Sequence, residues 1–290
     1  MKIFVTGASG FVGSAVVQEL IHHGHQVLGL ARSDANAEAI AAAGAEVLRG
    51  SLADLASLER GAAASDGVIH TAFIHDFSNY AASVAVDRRA IETLGHALAG
   101  SGRPLVVTSG TLRAPAGGVA TEDMPADPKF PRLSEASALP FAEREVRVSI
   151  VRLPPTVHGD GDHGFVPELI RIAREKRVAG FVADGSNRWP AVHRLDAAVA
   201  FRLAVEKAPA GTRIHAVAEV GIPTRDIAAV IGKRLEVPVE ARPVEHFGWL
   251  GPFFALDVPT ASEKTRELLG WRPVQAELLT DLDHPRYFAR

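Results

Sequence analysis

The sequence predicts an α/β fold, a doubly wound parallel sheet with a smaller C-terminal lobe, and three observations carry that reading. Short apolar runs of strand length alternate with stretches of helical periodicity through the first half of the chain. Gly7, Gly10 and Gly13 stand at intervals of three between the first apolar run and the first helical stretch. After Pro154 the punctuation changes, with Pro, Gly, Asp and His crowded between 154 and 164.

Taken in order, the run 3–5 is a strand, 11–22 is apolar-periodic and helical, and Gly24 separates it from a second strand over 27–30. An Ala-rich helix at 35–43, a strand at 46–48, a helix at 55–63 and a strand at 67–70 repeat the pattern. A helix over 83–99, a strand over 104–107, an intervening helix and a strand over 146–153 complete six strands before Pro154. Alternation of this kind buries a parallel sheet between two helical layers. Beyond Pro154 a helix over 166–177, another over 194–205 and a strand over 214–217 return the chain to the sheet. The expected division is therefore discontinuous: 1–155 with 191–218 as one unit, 156–190 with 219–290 as the other.

Composition narrows the function classes. Lys and Arg total 31 against 34 Asp and Glu, so no basic field exists to neutralise a nucleic acid backbone or an anionic membrane surface. With no cysteine, disulfides, thiolate nucleophiles, iron–sulfur sites and Cys-ligated zinc are excluded, which suits a reducing cytosol. The opening Met-Lys-Ile-Phe-Val-Thr-Gly reaches glycine too soon for a signal-peptide core or a membrane span, and a cytoplasmic protein is expected.

The segment Gly7-Ala8-Ser9-Gly10-Phe11-Val12-Gly13 has a physical use where it stands. Glycine permits the tight turn, lets backbone N–H groups approach a pyrophosphate at the helix N-terminus, and allows close packing of helix on strand. The Gly-x-x-Gly-x-x-Gly spacing resembles the short-chain dehydrogenase/reductase superfamily in its extended, NAD-dependent epimerase/dehydratase-like branch. Further matches follow in order: Gly50-Ser51-Leu52, Val68-Ile69-His70-Thr71-Ala72, Val106-Val107-Thr108-Ser109, Val151-Arg152-Leu153-Pro154-Pro155-Thr156-Val157-His158-Gly159, Val192-His193-Arg194-Leu195-Asp196-Ala197-Ala198 and Leu269-Gly270-Trp271-Arg272-Pro273. The resemblance covers nearly the whole chain and implies a Rossmann-type fold with a C-terminal substrate-binding lobe. It implies a dinucleotide held by Gly7, Ser9, Gly10, Phe11, Val12, Gly13, Ser51, Leu52, Thr71, Ala72, Phe73, Pro154, Thr156 and Val157. It also implies a homodimer through two helices beside the sheet.

Cofactor choice rests on the end of the second strand, where an acidic residue would bind the ribose of NAD. Arg32 and Ser33 stand there, followed by Asp34, and a guanidinium beside a hydroxyl suits the 2′-phosphate of NADP, with NAD the weaker candidate.

The superfamily's Tyr-x-x-x-Lys pair is missing: only Tyr80 and Tyr287 occur, and neither precedes Lys at that spacing. With Ser134-Glu135 in the place of the family's Ser-Lys, Pro131 replaces the tyrosine and Glu135 the lysine. The hydroxyl that orients the carbonyl falls to Ser109 or Thr111, unless this stretch only ends the strand. A histidine is the expected substitute for the phenol. Four are candidates, His75, His158, His163 and His193, with His158 and His193 preferred.

No metal site is expected. The loop His158-Gly159-Asp160-Gly161-Asp162-His163 completes neither a calcium-loop nor a zinc-helix spacing. Ser109 sits in no Gly-x-Ser-x-Gly elbow, which disfavours a hydrolase. The cluster Glu245-His246-Phe247-Gly248-Trp249-Leu250-Gly251-Pro252-Phe253-Phe254 is either the cover of an apolar substrate pocket or core and interface, and Trp189-Pro190 offers a second apolar wall. The leading expectation is an NADP-dependent oxidoreductase acting on a small hydrophobic or aromatic carbonyl or alcohol. The alternatives are an epimerase or dehydratase with retained cofactor, and a non-catalytic NADP(H) sensor resembling the nitrogen-metabolite regulators.

Overall fold

The computed structural model describes residues 1–76, 79–111, 117–126 and 132–289. Strands β1 (Lys2–Thr6), β2 (Gln26–Ala31), β3 (Glu46–Arg49), β4 (Gly67–His70), β5 (Pro104–Gly110) and β6 (Arg147–Leu153) alternate with helices α1 (Phe11–His22), α2 (Asp34–Ala42), α3 (Leu55–Ala63), α4 (Tyr80–Leu98) and the short α5 (Ser134–Ala138). Then come β7 (Thr156–His158), α6 (Phe165–Lys176), β8 (Ala179–Phe181), β9 (Arg188–His193), α7 (Arg194–Lys207), β10 (Thr212–His215), β11 (Glu219–Pro223), α8 (Thr224–Leu235) and β12 (Val239–Ala241). Three short helices, α9 (Gly251–Phe254), α10 (Glu263–Leu269) and α11 (Leu278–Leu282), end the regular structure.

The central sheet is seven-stranded and parallel throughout, in the order β10-β6-β5-β4-β1-β2-β3. Its strands read as unbroken apolar runs because both faces are covered. In β1, Ile3 and Val5 pack into the layer of α1, α2 and α7, and Phe4 between them into the layer of α3 and α4. This is a Rossmann-type doubly wound sheet, and the order reverses between β1 and β4, which opens a crevice at the carboxyl ends of the strands.

A separate core, built on Val166, Ile170, Trp189, Ile227, Phe247 and Leu278 among others, lies with α6, α8 and two small sheets, β11-β9-β7 and β12-β8. No apolar alternation in the sequence marks these short strands. No helix among the described residues is long and apolar enough to cross a membrane.

Candidate functional site

The turn after β1 begins with Gly7 at φ +71°, and a Cβ there would come within 2.8 Å of the Ala72 amide. A Cβ on Gly13 would meet the Gly7 carbonyl oxygen at 2.0 Å, so the first turn of α1 lies directly on the strand end because both residues lack side chains. Gly10 caps α1 in extended conformation without a side-chain hydrogen bond, and no acidic residue stands in the first turn. The orphan amides of that turn are therefore left for an anion.

These amides border a cleft of about 2000 Å³, larger than a typical small-molecule pocket. Gly7, Ser9, Gly10, Phe11, Val12 and Gly13 line one end with Arg32, Ser51 and Leu52; Thr71, Ala72, Phe73, Pro154 and Val157 line the middle. Two residues expected on the dinucleotide are instead turned to structural use. Ser33 is the N-cap of α2, accepting from the Asn36 amide at 3.3 Å, and Thr156 is fully buried, its hydroxyl donating to the Pro190 carbonyl. Asp34 pairs with Arg49 at 2.7 Å and not with Arg32, which is exposed at the cleft edge.

At the other end, Ser109 and Thr111 line the cleft where β5 finishes, with the Thr111 amide still paired to the Leu153 carbonyl at 2.9 Å. Thr108 between β4 and the cleft is committed, its hydroxyl donating to the His70 carbonyl at 2.8 Å. This other end of the cleft is formed by His75, Tyr80, Arg132, Asp162, His163 and an apolar wall of Phe165, Trp189, Trp249, Phe253, Leu256 and Val258. The aromatic cluster thus divides: Trp249 and Phe253 face the cleft, whereas Phe247 and Phe254 are buried in the core.

The preferred histidines are the ones the fold withdraws. His158 is fully buried below the cleft, its Nδ1 3.0 Å from Asp281, its Nε2 without a hydrogen-bond partner among the described residues. His193 caps α7 by accepting from the Leu195 amide at 3.3 Å, and its ring packs edge-on against His158 at 5.3 Å. Neither lines the cleft; His75 and His163 do. Burial and the Arg132 charge hold the His75 imidazole below its ordinary value, which keeps it neutral at pH 7. His163 packs edge-on against Phe11 at 5.6 Å, which carries the loop 159–164 across the start of α1.

Glu135 has also left the cleft. It is buried in a two-pronged pair with Arg152, at 2.7 and 2.8 Å, and meets Arg213 at 3.2 Å. Pro131 lies outside the described residues. A cation that does enter the cleft near the end of β5 is Arg132, its guanidinium 4.3 Å from the centroid of the Phe73 ring. Tyr80, at the start of α4, packs at a tilt on the same ring, 5.9 Å from Phe73, and burial raises its phenol above the ordinary value while Arg132 opposes the shift. The sequence offers no signal for Arg132, which has no motif around it. Tyr80 is visible as one of two tyrosines, but no Lys follows it four residues later and it lies outside the segment before the sixth strand where the family's pair belongs.

Comparison with known proteins agrees with this geometry. The model of the NAD dependent epimerase/dehydratase family matches residues 3–131. An uncharacterized protein of Schizosaccharomyces pombe is 50% identical over 295 residues, 99% of this chain and 100% of that protein. A 2-alkyl-3-oxoalkanoate reductase of Stenotrophomonas maltophilia is 32% identical over 224 residues, 71% of this chain and 66% of that one. Among solved structures, UDP-glucose 4-epimerase of Thermotoga maritima with UDP-glucose superposes with a TM-score of 0.79 at 20% identity, covering 99% of this chain and 98% of that chain, a likeness of fold. A dinucleotide-type turn at the switch point of a seven-stranded parallel sheet and these matches lead to one assignment: the chain belongs to the NAD-dependent epimerase/dehydratase family, in the extended branch of the short-chain dehydrogenases/reductases.

Proposed function

We propose that this protein is an NADP-dependent reductase or dehydrogenase acting on a small carbonyl or alcohol with a hydrophobic or aromatic body. The observation that carries the reading is the joining of two unlike ends in one cleft, uncapped helix amides with Arg32 at one, hydroxyls with an aromatic wall at the other. Residues 1–155 with 191–218 hold the dinucleotide in this reading, and 156–190 with 219–290 hold the substrate. Hydride transfer is the chemistry that the nicotinamide supplies when bound. Arg32 has no ion-pair partner among the described residues, so its fork remains available to a 2′-phosphate, and Asp34 is neutralised by Arg49.

On the protein's side, Ser109 or Thr111 holds the substrate oxygen, and Tyr80 takes the role of proton donor in place of His158 and His193, which do not line the cleft. Its raised pKa keeps the phenol protonated and the Arg132 charge stabilises the phenolate that donation leaves. The pair thus does from two elements what Tyr-x-x-x-Lys does from one helix face. The Stenotrophomonas relative is named as a reductase of a ketone, which favours this chemistry over others in the family. A homodimer and a cytosolic location complete the reading.

The test is calorimetric titration of cofactor-free protein with NADPH and NADH, followed by a carbonyl screen. NADPH is expected to bind at least about tenfold more tightly, a difference of ~1.4 kcal/mol, and Arg32→Glu to reverse the order. Equal binding of both nucleotides by wild type and variant overturns the NADP assignment. Tyr80→Phe is expected to lower turnover by about 10²–10⁴-fold with NADPH affinity unchanged. The family's epimerase chemistry is the second reading, favoured by the match of residues 3–131 to the NAD dependent epimerase/dehydratase family model; it predicts copurifying dinucleotide and no net NADPH consumption. Binding without turnover on any carbonyl would mark a sensor.

A further inference from the structure

Behind Arg132 runs a buried polar chain that the proposed reaction does not require. The Thr6 hydroxyl and His70 Nδ1 are 2.8 Å apart, and His70 Nε2 lies 3.0 Å from Asp87 Oδ1. Ser134 donates to Asp87 Oδ2 at 2.7 Å, and Arg132 Nε donates to the Ser134 hydroxyl at 3.0 Å. Thr6, His70, Asp87 and Ser134 are all at most 2% exposed. Arg132 Nη2 also donates to the Thr108 carbonyl at 3.2 Å, and the guanidinium plane is held against Phe73. A buried network of this kind is costly unless every member is satisfied, and its effect is rigidity. Here it fixes one guanidinium at the edge of the cleft.

The charge arrangement is the informative part. Asp87 stands one hydroxyl behind the guanidinium, and among the described residues no carboxylate lies within 4.0 Å of Arg132. The other cation on the substrate side, Arg171, is neutralised by Glu168 and Glu175 at 2.7 and 2.5 Å. Arg132 Nη1 makes no hydrogen bond to a described residue, so one edge of a rigid, partly desolvated cation is left toward the cleft. A guanidinium with no carboxylate partner among the described residues, stacked and anchored on its far side, matches a planar two-oxygen anion.

We infer that Arg132 binds a carboxylate on the substrate, so that the substrate class is an oxo acid or hydroxy acid with an apolar tail. The carboxylate sits at Nη1, the carbonyl or hydroxyl oxygen at Ser109 or Thr111, and the tail lies along Trp249, Phe253 and Val258. This rests on the reductase reading for the identity of the second oxygen, but the anion site stands on Arg132 alone.

The experiment is calorimetry of hexanoate, hexanamide and uridine diphosphate against protein saturated with NADP⁺, with NADP⁺ affinity measured first. Hexanoate is expected to bind at least about tenfold more tightly than hexanamide, Arg132→Gln to abolish the difference while the variant still melts cooperatively, and Arg132→Lys to retain part of it. Equal binding of hexanoate and hexanamide, or a difference that survives Arg132→Gln, overturns the inference. Uridine diphosphate displacing hexanoate through Arg132 overturns it in favour of a nucleotide substrate. If wild-type protein binds no NADP⁺, the reductase reading falls; the same ligand pair is then compared on cofactor-free protein, where the hexanoate preference still decides the anion site.

Discussion

Asp162 is 8% exposed at the edge of the cleft near His163, and its carboxyl is pushed up to about 6 by burial, which the Gly164 amide and the charges of His158 and His163 only partly offset. A carboxyl raised in the folded state favours folding fully below its unfolded value of about 3.9, and loses that contribution as pH rises through its folded value. Asp162→Asn, which can keep the bond from the Gly164 amide to Oδ1, is therefore expected to match wild type near pH 4. It should exceed wild type in stability by on the order of 2 kcal/mol near pH 8. Urea unfolding across that range checks this, and a gap that widens toward acid would refute it. Residues of this kind divide by what their role depends on. Gly7 and Gly13 were legible because part of their reason is local, the positive φ of Gly7 in the turn and the contact of Gly13 with the Gly7 carbonyl, although the approach of Gly7 to Ala72 is not. His158 and His75 are the same residue type, each shortly after a strand of the central sheet, and only the packing of α11 over β7 decides that one is buried against Asp281 while the other meets the cleft.

At the scale of elements, α11 and the residues after it act as a strap across the loop 159–164. Tyr287 accepts from the Gly159 amide at 3.0 Å and donates to Asp281 at 3.0 Å, Arg286 pairs with Asp281, and Arg174 on α6 donates to the Phe288 carbonyl at 3.1 Å. Burial would raise Asp281, but His158, Arg286 and Tyr287 together hold it down to about 2, so the strap remains charged at any working pH. Tyr287→Phe leaves the Gly159 amide and Asp281 each short of a partner, for an expected loss of about 1–3 kcal/mol. Faster hydrogen exchange at Gly159 with unchanged exchange in β1 and β4 is the expected signature; uniform acceleration would show that the bond serves the whole fold instead. Helices α1 and α3 and strand β4 have the bounds that their periodicity and punctuation predict. β7, β9 and β11 do not advertise themselves, because a three-stranded sheet with Pro190, Gly221 and Pro223 in its strands is made by pairings distant in sequence.

Across the whole molecule, two stretches singled out by resemblance meet at one residue. Asp196, at the start of α7, is 2% exposed; its backbone carbonyl accepts from the Trp271 indole at 2.9 Å, and its carboxylate accepts from the amides of Val274 and Gln275, both at 3.0 Å. Helix α7 in turn packs on α1, with Arg202 on Glu19 at 2.7 Å and His25 on Glu206 at 3.0 Å. The chain after α10 is thereby tied to the layer that carries the glycine-rich turn. Asp196→Ala, which strands two backbone amides, is expected to lower stability by about 2–4 kcal/mol and to shift the emission of Trp271 to the red before global unfolding. An unchanged denaturation midpoint with a native emission spectrum would remove Asp196 from this role.

The fold class, the dinucleotide turn, the placement of Arg32 at the end of β2 and the family itself were settled by the sequence alone. Each depends on short-range rules: which residues can form a tight turn, which runs can be buried on both faces of a sheet, and which side chains follow a strand end. What only the tertiary structure decided is the far end of the cleft. Arg132 and Tyr80 reach it from separate segments, while His158 and Glu135 leave it for buried partners at Asp281 and Arg152 and His193 leaves it to cap α7 at the Leu195 amide. The reason is that a charged or hydrogen-bonding side chain goes where its polar partners are, and those partners lie far away in sequence, on elements whose positions are set by the packing of the whole core.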